Sequence, residues 1–183
     1  MLKQPEAERW QTTPVQVRDR EFRVAHRAGL PGAGPGDVAA LLLAEVLQAE
    51  PGAAVVSLHS GAGLVGAVAA FLGADPVTMA DPHIVAVEAS RRTAAANGFP
   101  GLAVHHSHGT SHFRPARAVD VVAARLPKGT LPTLQTIWDA WNMLRPGGRL
   151  YLAGANDEGI QPALRHAGEL FGQAETLAYR KGH

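Results

Sequence analysis

Residues 55–66 read Val-Val-Ser-Leu-His-Ser-Gly-Ala-Gly-Leu-Val-Gly. The apolar run is too short for a helix. It enters a glycine bend and leaves through the apolar stretch Leu64–Ala70, the pattern of a buried strand turning into a helix. Glycines let the backbone come close to a ligand at such a bend, and the free N–H groups of the helix start point at it, so the chemistry on offer is the holding of a nucleotide-like group. The plain alternative is a tight turn with no ligand. A second concentration of reactive side chains is His105, His106, His108 and His112, in His-His-Ser-His-Gly-Thr-Ser-His. Imidazoles bind zinc, nickel or copper. Alternating strand residues point to opposite faces, however, and the stretch has neither a helical His-Glu-x-x-His nor an adjoining carboxylate, so no physiological metal site is expected. No serine elbow or paired carboxylate marks a hydrolase.

Composition limits the elements that can position these residues. The 183 residues suit one domain with a sizeable core, 46% of them hydrophobic and 18% charged, which excludes disorder of the whole chain. Seventeen Lys+Arg against sixteen Asp+Glu give no global electrostatic case for nucleic acid or membrane, although a local basic patch is compatible with them. Cysteine is absent, so disulfides and thiolate metal sites are excluded and a cytoplasmic location is expected. Met1–Pro14 does not resemble a signal peptide. Pro51–Ala74 lacks formal charges, but serines, a histidine and glycines interrupt it, and a strand, turn and helix explain it better than a membrane span.

In chain order, Val15–Val17 and Phe22–Val24 flank a charged turn and predict a hairpin or extended arm. Gly29–Gly36 is a loop by composition, without the Gly-Lys-Ser/Thr ending of a phosphate loop; a connector is favoured over a flap on the ligand site. Asp37 fits the N-cap of a helix over residues 38–48. Residues 1–36 thus form an arm or hairpin plus loop, and 37–183 the main domain. After the central strand and helix, Pro76–Ala80 reads as a strand ending at Asp81. Pro82 fits the first turn of a helix to about Ala96 with Asp81 as its cap, closed by Asn97-Gly98. Residues 102–106 and 118–124 read as strands. Leu134, Ile137, Trp138, Trp141 and Leu144 recur at helical spacing in a helix opened by Thr130 and Pro132, which assigns the tryptophans to the core. Pro146-Gly147-Gly148 turns into a strand at 149–153, a helix covers 159–171, and 174–179 reads as a final strand. This alternation predicts an α/β fold: a Rossmann-like, open, mostly parallel sheet with helices on both faces.

The order of motifs resembles a class I S-adenosylmethionine-dependent methyltransferase, most closely the small-domain family that includes ribosomal RNA guanine-N2 methyltransferases. The resemblance runs from about Arg20 to the C-terminus. It rests on the glycine bend, Asp81, the helix end Arg91-Arg92-Thr93-Ala94-Ala95-Ala96-Asn97-Gly98 and, above all, Leu144-Arg145-Pro146-Gly147-Gly148-Arg149-Leu150-Tyr151-Leu152. It implies S-adenosylmethionine lying across the ends of the first two core strands, with its methionine part at Gly61 and Gly63 and its ribose hydroxyls on Asp81. A carboxylate suits that role because it offers only acceptors to two hydroxyl donors.

Three positions depart from the family pattern. The acid usually found two residues before the first glycine is missing, and Ser57 and His59 stand there instead. That removes a charged partner for the methionine ammonium. Ser107-His108-Gly109-Thr110 lacks an acid where relatives contact the adenine amine. Where amine-methylating relatives carry Asn-Pro-Pro and an aromatic, this chain has Arg125, Leu126, Pro127 and Lys128. In the family's motif an amide oxygen and a carbonyl accept the two amine hydrogens, and an arginine has no acceptor to replace them. Arg125 and Lys128 read as solvated surface first and as phosphate contacts second.

The resemblance therefore implies a methyltransferase with an RNA substrate, or else a catalytically inactive module of the same fold that binds RNA or protein. As partners it implies RNA, or a catalytic methyltransferase domain or second copy, and no membrane. Relatives end in a hairpin whose last strand inserts into the sheet. This sequence stops at Arg180-Lys181-Gly182-His183, where that strand would begin.

Overall fold

The computed structural model describes residues 9–30, 34–111 and 117–183. The expectations that fall on residues 1–8, on 31–33 of the glycine-proline loop and on His112 lie outside the described residues.

A hairpin comes first, formed by β1 (Gln11–Val17) and β2 (Arg20–His26), paired antiparallel with Val15 opposite Phe22. Arg18, at φ +53°, helps make the turn. One face of the hairpin carries Val15, Val17, Phe22 and Val24, which pack with Leu64, Ala67 and Val68. Its backbone is fastened to the neighbouring helix by side chains: Thr93 Oγ1 accepts from Ala25 N at 2.9 Å, and Asn97 both accepts from Arg23 N and donates to Arg23 O. Asn97 and Thr93 thus act as strand partners for β2.

The core sheet has the order β5-β4-β3-β6-β7, with every neighbouring pair parallel. Its strands are β3 (Val55–Leu58), β4 (Val77–Asp81), β5 (Ala103–His106), β6 (Val119–Arg125) and β7 (Leu144–Ala153). Helices α1 (Val38–Val46), α2 (Leu64–Phe71), α3 (Ile84–Ala96), α4 (Thr130–Met143) and α5 (Ile160–Phe171) connect them. The period of two decides the layers. Val55 joins Leu43, Leu47, Val65 and Val121 on the α1 and α2 face, whereas Val56 and Leu58 join Val122, Ala140 and Met143 on the α4 face. Trp141 meets Phe171 edge to face at 5.1 Å, locking α4 to α5. This is the expected open parallel sheet with helices on both faces.

Five local expectations need correction. Residues 174–179 form no strand, and Leu177 and Tyr179 are exposed. Gly172 ends α5 at φ +81°, and the chain is then drawn to Asn156, whose N–H donates to Gly182 O at 2.8 Å, and to Glu45, which pairs with Arg180. Among the described residues the segment pairs with no strand, although β7 lies at the sheet edge. Trp138 is 53% exposed, because the apolar stripe of α4 is narrower than its sequence and the buried face includes Thr133, Thr136 and Asp139 instead. Asp81 is not the cap of α3. His83 occupies that position with no side-chain cap bond, and Pro82 lies before the first turn. Finally, β7 starts at Leu144 rather than Arg149: Leu144 pairs with Val119 before a bulge that contains Pro146-Gly147-Gly148, with Gly147 at φ +80°.

Candidate functional site

Both β4 and β6 neighbour β3, and the chain runs outward from β3 in opposite directions. The crevice at the carboxyl ends of β3 and β6 is therefore the topological switch point of the sheet, where open α/β folds place ligands. His59 follows β3, Asp81 ends β4 and Arg125 ends β6, so the parallel topology brings together three residues separated by tens of positions in sequence.

The bend is a hydrogen-bonded unit. Gly63 N donates to Ser60 O at 2.8 Å and Ser60 N to Ala80 O at 3.2 Å. Ser60 and Ser90 share a hydroxyl bond at 3.0 Å, and Ser90 Oγ donates to Gly61 O. The two glycines differ in what they do. A Cβ on Gly63 would lie 2.6 Å from Ser90 Cα, with φ already at +82°, so this glycine lets α2 pack on α3. A Cβ on Gly61 would meet nothing within 4 Å. Gly61 therefore leaves a cradle open above the backbone.

Asp81 is buried, and its carboxylate faces the bend. Gly61 N donates to Oδ2 at 2.9 Å, while His83 N and Nδ1 lie 2.9 and 3.1 Å from Oδ1. A carboxylate has about four acceptor directions, so one is left, and the exposed His83 ring can free another by rotating.

On the opposite side, Ser57 is buried within β3 and His59 adopts φ +52°, turning its ring so that Nε2 lies 3.0 Å from Thr136 Oγ1 of α4. Burial, joined by the positive surroundings of Arg125, His108 and His83, holds the His59 pKa below the ordinary histidine value against the pull of Asp81, so its ring is neutral at pH 7. Beside it, Thr110 Oγ1 donates to Asp139 Oδ1 at 3.3 Å, and a Cβ on Gly109 would overlap Asp139 Oδ2. The acid missing from Ser107–Thr110 is thus supplied by α4, though it is spent on the loop itself. Of the expected histidine cluster, His106 Nε2 lies 2.9 Å from Pro82 O. Among the described residues no three metal-ligating side chains converge.

Arg125 is neither surface nor a free phosphate ligand. Its Nε donates to Asp37 Oδ2 at 2.8 Å and its Nη2 to Glu158 Oε1 at 3.2 Å, with the side chain 23% exposed. Burial works against its charge, but Asp37 and Glu158 outweigh it and raise its pKa above the ordinary arginine value. Asp37 also caps α1 by accepting from Ala40 N, as expected, and Glu158 accepts from Ala155 N. Leu126 is fully buried and packs on Gly154, Pro127 O accepts from Thr133 Oγ1, and Lys128 is exposed. Ser57, His59, Gly61, Asp37 and Arg125 enclose a cavity of about 10 Å³, room for about one water. Sequence reasoning missed the contributions of Asp37, Thr136, Asp139 and Glu158 to this crevice. Each reaches it from an element remote in sequence; local pattern marked Asp37 as a helix cap and gave no sign of its bond to Arg125.

Residues 21–183 match the family described as Methyltransferase small domain. The chain belongs to that family. Among solved structures it is similar to the T. thermophilus 16S rRNA N2 G1207 methyltransferase RsmC, in complex with AdoMet and guanosine, with 23% identity and a TM-score of 0.73 over 94% of this chain and 43% of that one. The ribosomal protein L11 methylase of Lactobacillus delbrueckii subsp. bulgaricus aligns at 22% identity and TM-score 0.58, covering 70% of this chain and 66% of that one. A SAM-dependent methyltransferase of Thiobacillus denitrificans, in complex with S-adenosyl-L-homocysteine, aligns at 27% identity and TM-score 0.50, covering 62% and 46%. The chain thus spans less than half the length of the rRNA methyltransferase. No curated protein matches by sequence. The family and the class I methyltransferase fold agree with the sequence reading. Among the described residues no helix is long and apolar enough to cross a membrane.

Proposed function

We propose that this chain is a methyltransferase domain that binds S-adenosylmethionine over the ends of β3 and β4 and acts on RNA. The observation that carries the reading is the pairing of an open cradle at Gly61 with the Asp81 carboxylate bonded to the same residue. The donor set fits the ribose half of the cofactor: Asp81 accepts from the ribose hydroxyls, and the His83 ring moves aside to release its oxygen. At the methionine half the fit is narrower, because His59 bridges to Thr136 where relatives keep an acid. Entry there requires His59 to leave Thr136. The cofactor supplies an activated methyl on a sulfonium, so the work left to the protein is alignment and exclusion of water, with no special general base. An RNA acceptor is supported by the likeness to an rRNA methyltransferase.

One observation favours a second reading, a catalytically inactive module of the same fold. The residue at the acceptor position is Arg125, a donor with no acceptor to aim an amine, and Asp37 and Glu158 both pair with it. Transfer of a labelled methyl from S-adenosylmethionine to ribosomal RNA tests the pair. Incorporation supports the enzyme, and cofactor binding without incorporation supports the module.

A further inference from the structure

The outer face of the hairpin and the solvent face of α3 meet at Trp10. The Arg27 guanidinium lies 5.5 Å from the Trp10 ring centre and that of Arg92 4.7 Å from it, so two like charges are gathered around one aromatic ring. Cation–π contact holds each arginine by its planar face. Among the described residues Arg27 Nε is buried without a partner and Arg92 Nε donates to Glu88, so the terminal nitrogens are the donors left for a ligand. Arg23 lies on the same face of β2, with its side chain exposed and no ion pair among the described residues. The adjoining exposed Arg91 donates to a backbone carbonyl, Val104 O, and has no ion pair among the described residues. Among the described residues the acids close by are Glu21, which has no ion pair, and Glu88, which pairs with Arg92 Nε in an exposed i,i+4 contact of little worth. Among the described residues positive charge is therefore concentrated here, in a chain of formal net charge +1, and an aromatic ring gathers it.

We infer that Trp10, Arg23, Arg27, Arg91 and Arg92 form a docking surface for the phosphate backbone of single-stranded RNA, an inference that rests on RNA being the substrate. Arginine forks match phosphate oxygens in geometry and charge, and paired arginines held close together gain most from a polyanion. The location suits a substrate strand. α3 begins at Ile84, beside Asp81, and Arg92 lies eight residues, about 12 Å, further along its axis. A strand whose target base enters the crevice at the acceptor position by Arg125 would cross the ends of β3 and β4 before its flanking phosphates reach this exposed helix face. These contacts position the strand and read no sequence.

The test is anisotropy of a labelled single-stranded ribosomal RNA fragment at rising salt, comparing wild type with Arg27→Glu/Arg92→Glu and with Arg27→Lys/Arg92→Lys. Thermal unfolding and S-adenosylmethionine titration check that each variant is folded. The surface predicts at least tenfold weaker binding for the Glu pair, with a salt slope shallower by about 1 to 1.5 for two lost phosphates, and binding largely retained by the Lys pair. Wild-type binding left unchanged in affinity and slope by the Glu pair would overturn the surface and leave the RNA reading standing. Absence of RNA binding by the wild type would overturn both. Equal competition by polyglutamate of matched charge would replace RNA with an acidic polypeptide as the partner.

Discussion

Gly61 N–H donates to Asp81 Oδ2 at 2.9 Å, so the glycine bend after β3 and the acid closing β4 are one rigid piece. Two features that the sequence places twenty residues apart are joined by a single charge-assisted bond, which directs the carboxylate toward the space above Gly61. Replacing Asp81 with Asn keeps the shape and loses the charge. The expected outcome is at least tenfold weaker S-adenosylmethionine binding by calorimetry, with a loss of about 1–2 kcal/mol in denaturant unfolding.

The two glycines separate packing from ligand access. Gly63→Ala forces a Cβ onto Ser90 Cα at a left-handed φ and should lower stability by about 2–4 kcal/mol in urea unfolding. Gly61→Ala meets open space and bears only the backbone term, about 1 kcal/mol. Gly61→Arg would fill the cradle, so it should fold and yet lose the cofactor; retained affinity would misplace the site.

Arg125→Asn restores the residue type that amine-methylating relatives carry and removes the partner of both Asp37 and Glu158. Because the pair is partly exposed, the cost should lie near the lower limit for broken buried pairs, about 2–3 kcal/mol in unfolding. A change below the measurement error would mean the triad does not hold α1 to the segment after β7.

His59 makes stability depend on pH. Its folded pKa lies below the unfolded value of 6.5, so between the two the unfolded chain binds the extra proton. The stabilisation is complete above pH 6.5, declines as pH falls through that window and levels off below the folded pKa. His59→Asn tolerates the left-handed backbone and does not titrate, so thermal unfolding from pH 7 to 5 should show a shallower loss than in wild type. Parallel curves would remove His59 as the cause.

Much of this was legible in the sequence. Short apolar runs alternating with helical spacing specified the parallel sheet; the bend was marked by its glycines, whereas the ribose role expected of Asp81 came from the family resemblance and its expected capping role did not hold. The rest was not local. Arg125 looked like surface because its acids lie 88 and 33 residues away, and a histidine at φ +52° turning onto Thr136 follows from crowding at the crevice, which no pattern encodes. The strand expected at 174–179 failed for a similar reason: contacts remote in sequence, Arg180 with Glu45 and Gly182 O with Asn156 N, hold the tail away from strand pairing, which composition does not encode.

The central claim is that Gly61 and Asp81 together form the cofactor site, and calorimetric titration with S-adenosylmethionine, repeated on Gly61→Arg, tests it most directly. The account predicts saturable one-site binding by the wild type and none by the variant. No binding at millimolar cofactor, or equal binding by both proteins, would contradict it.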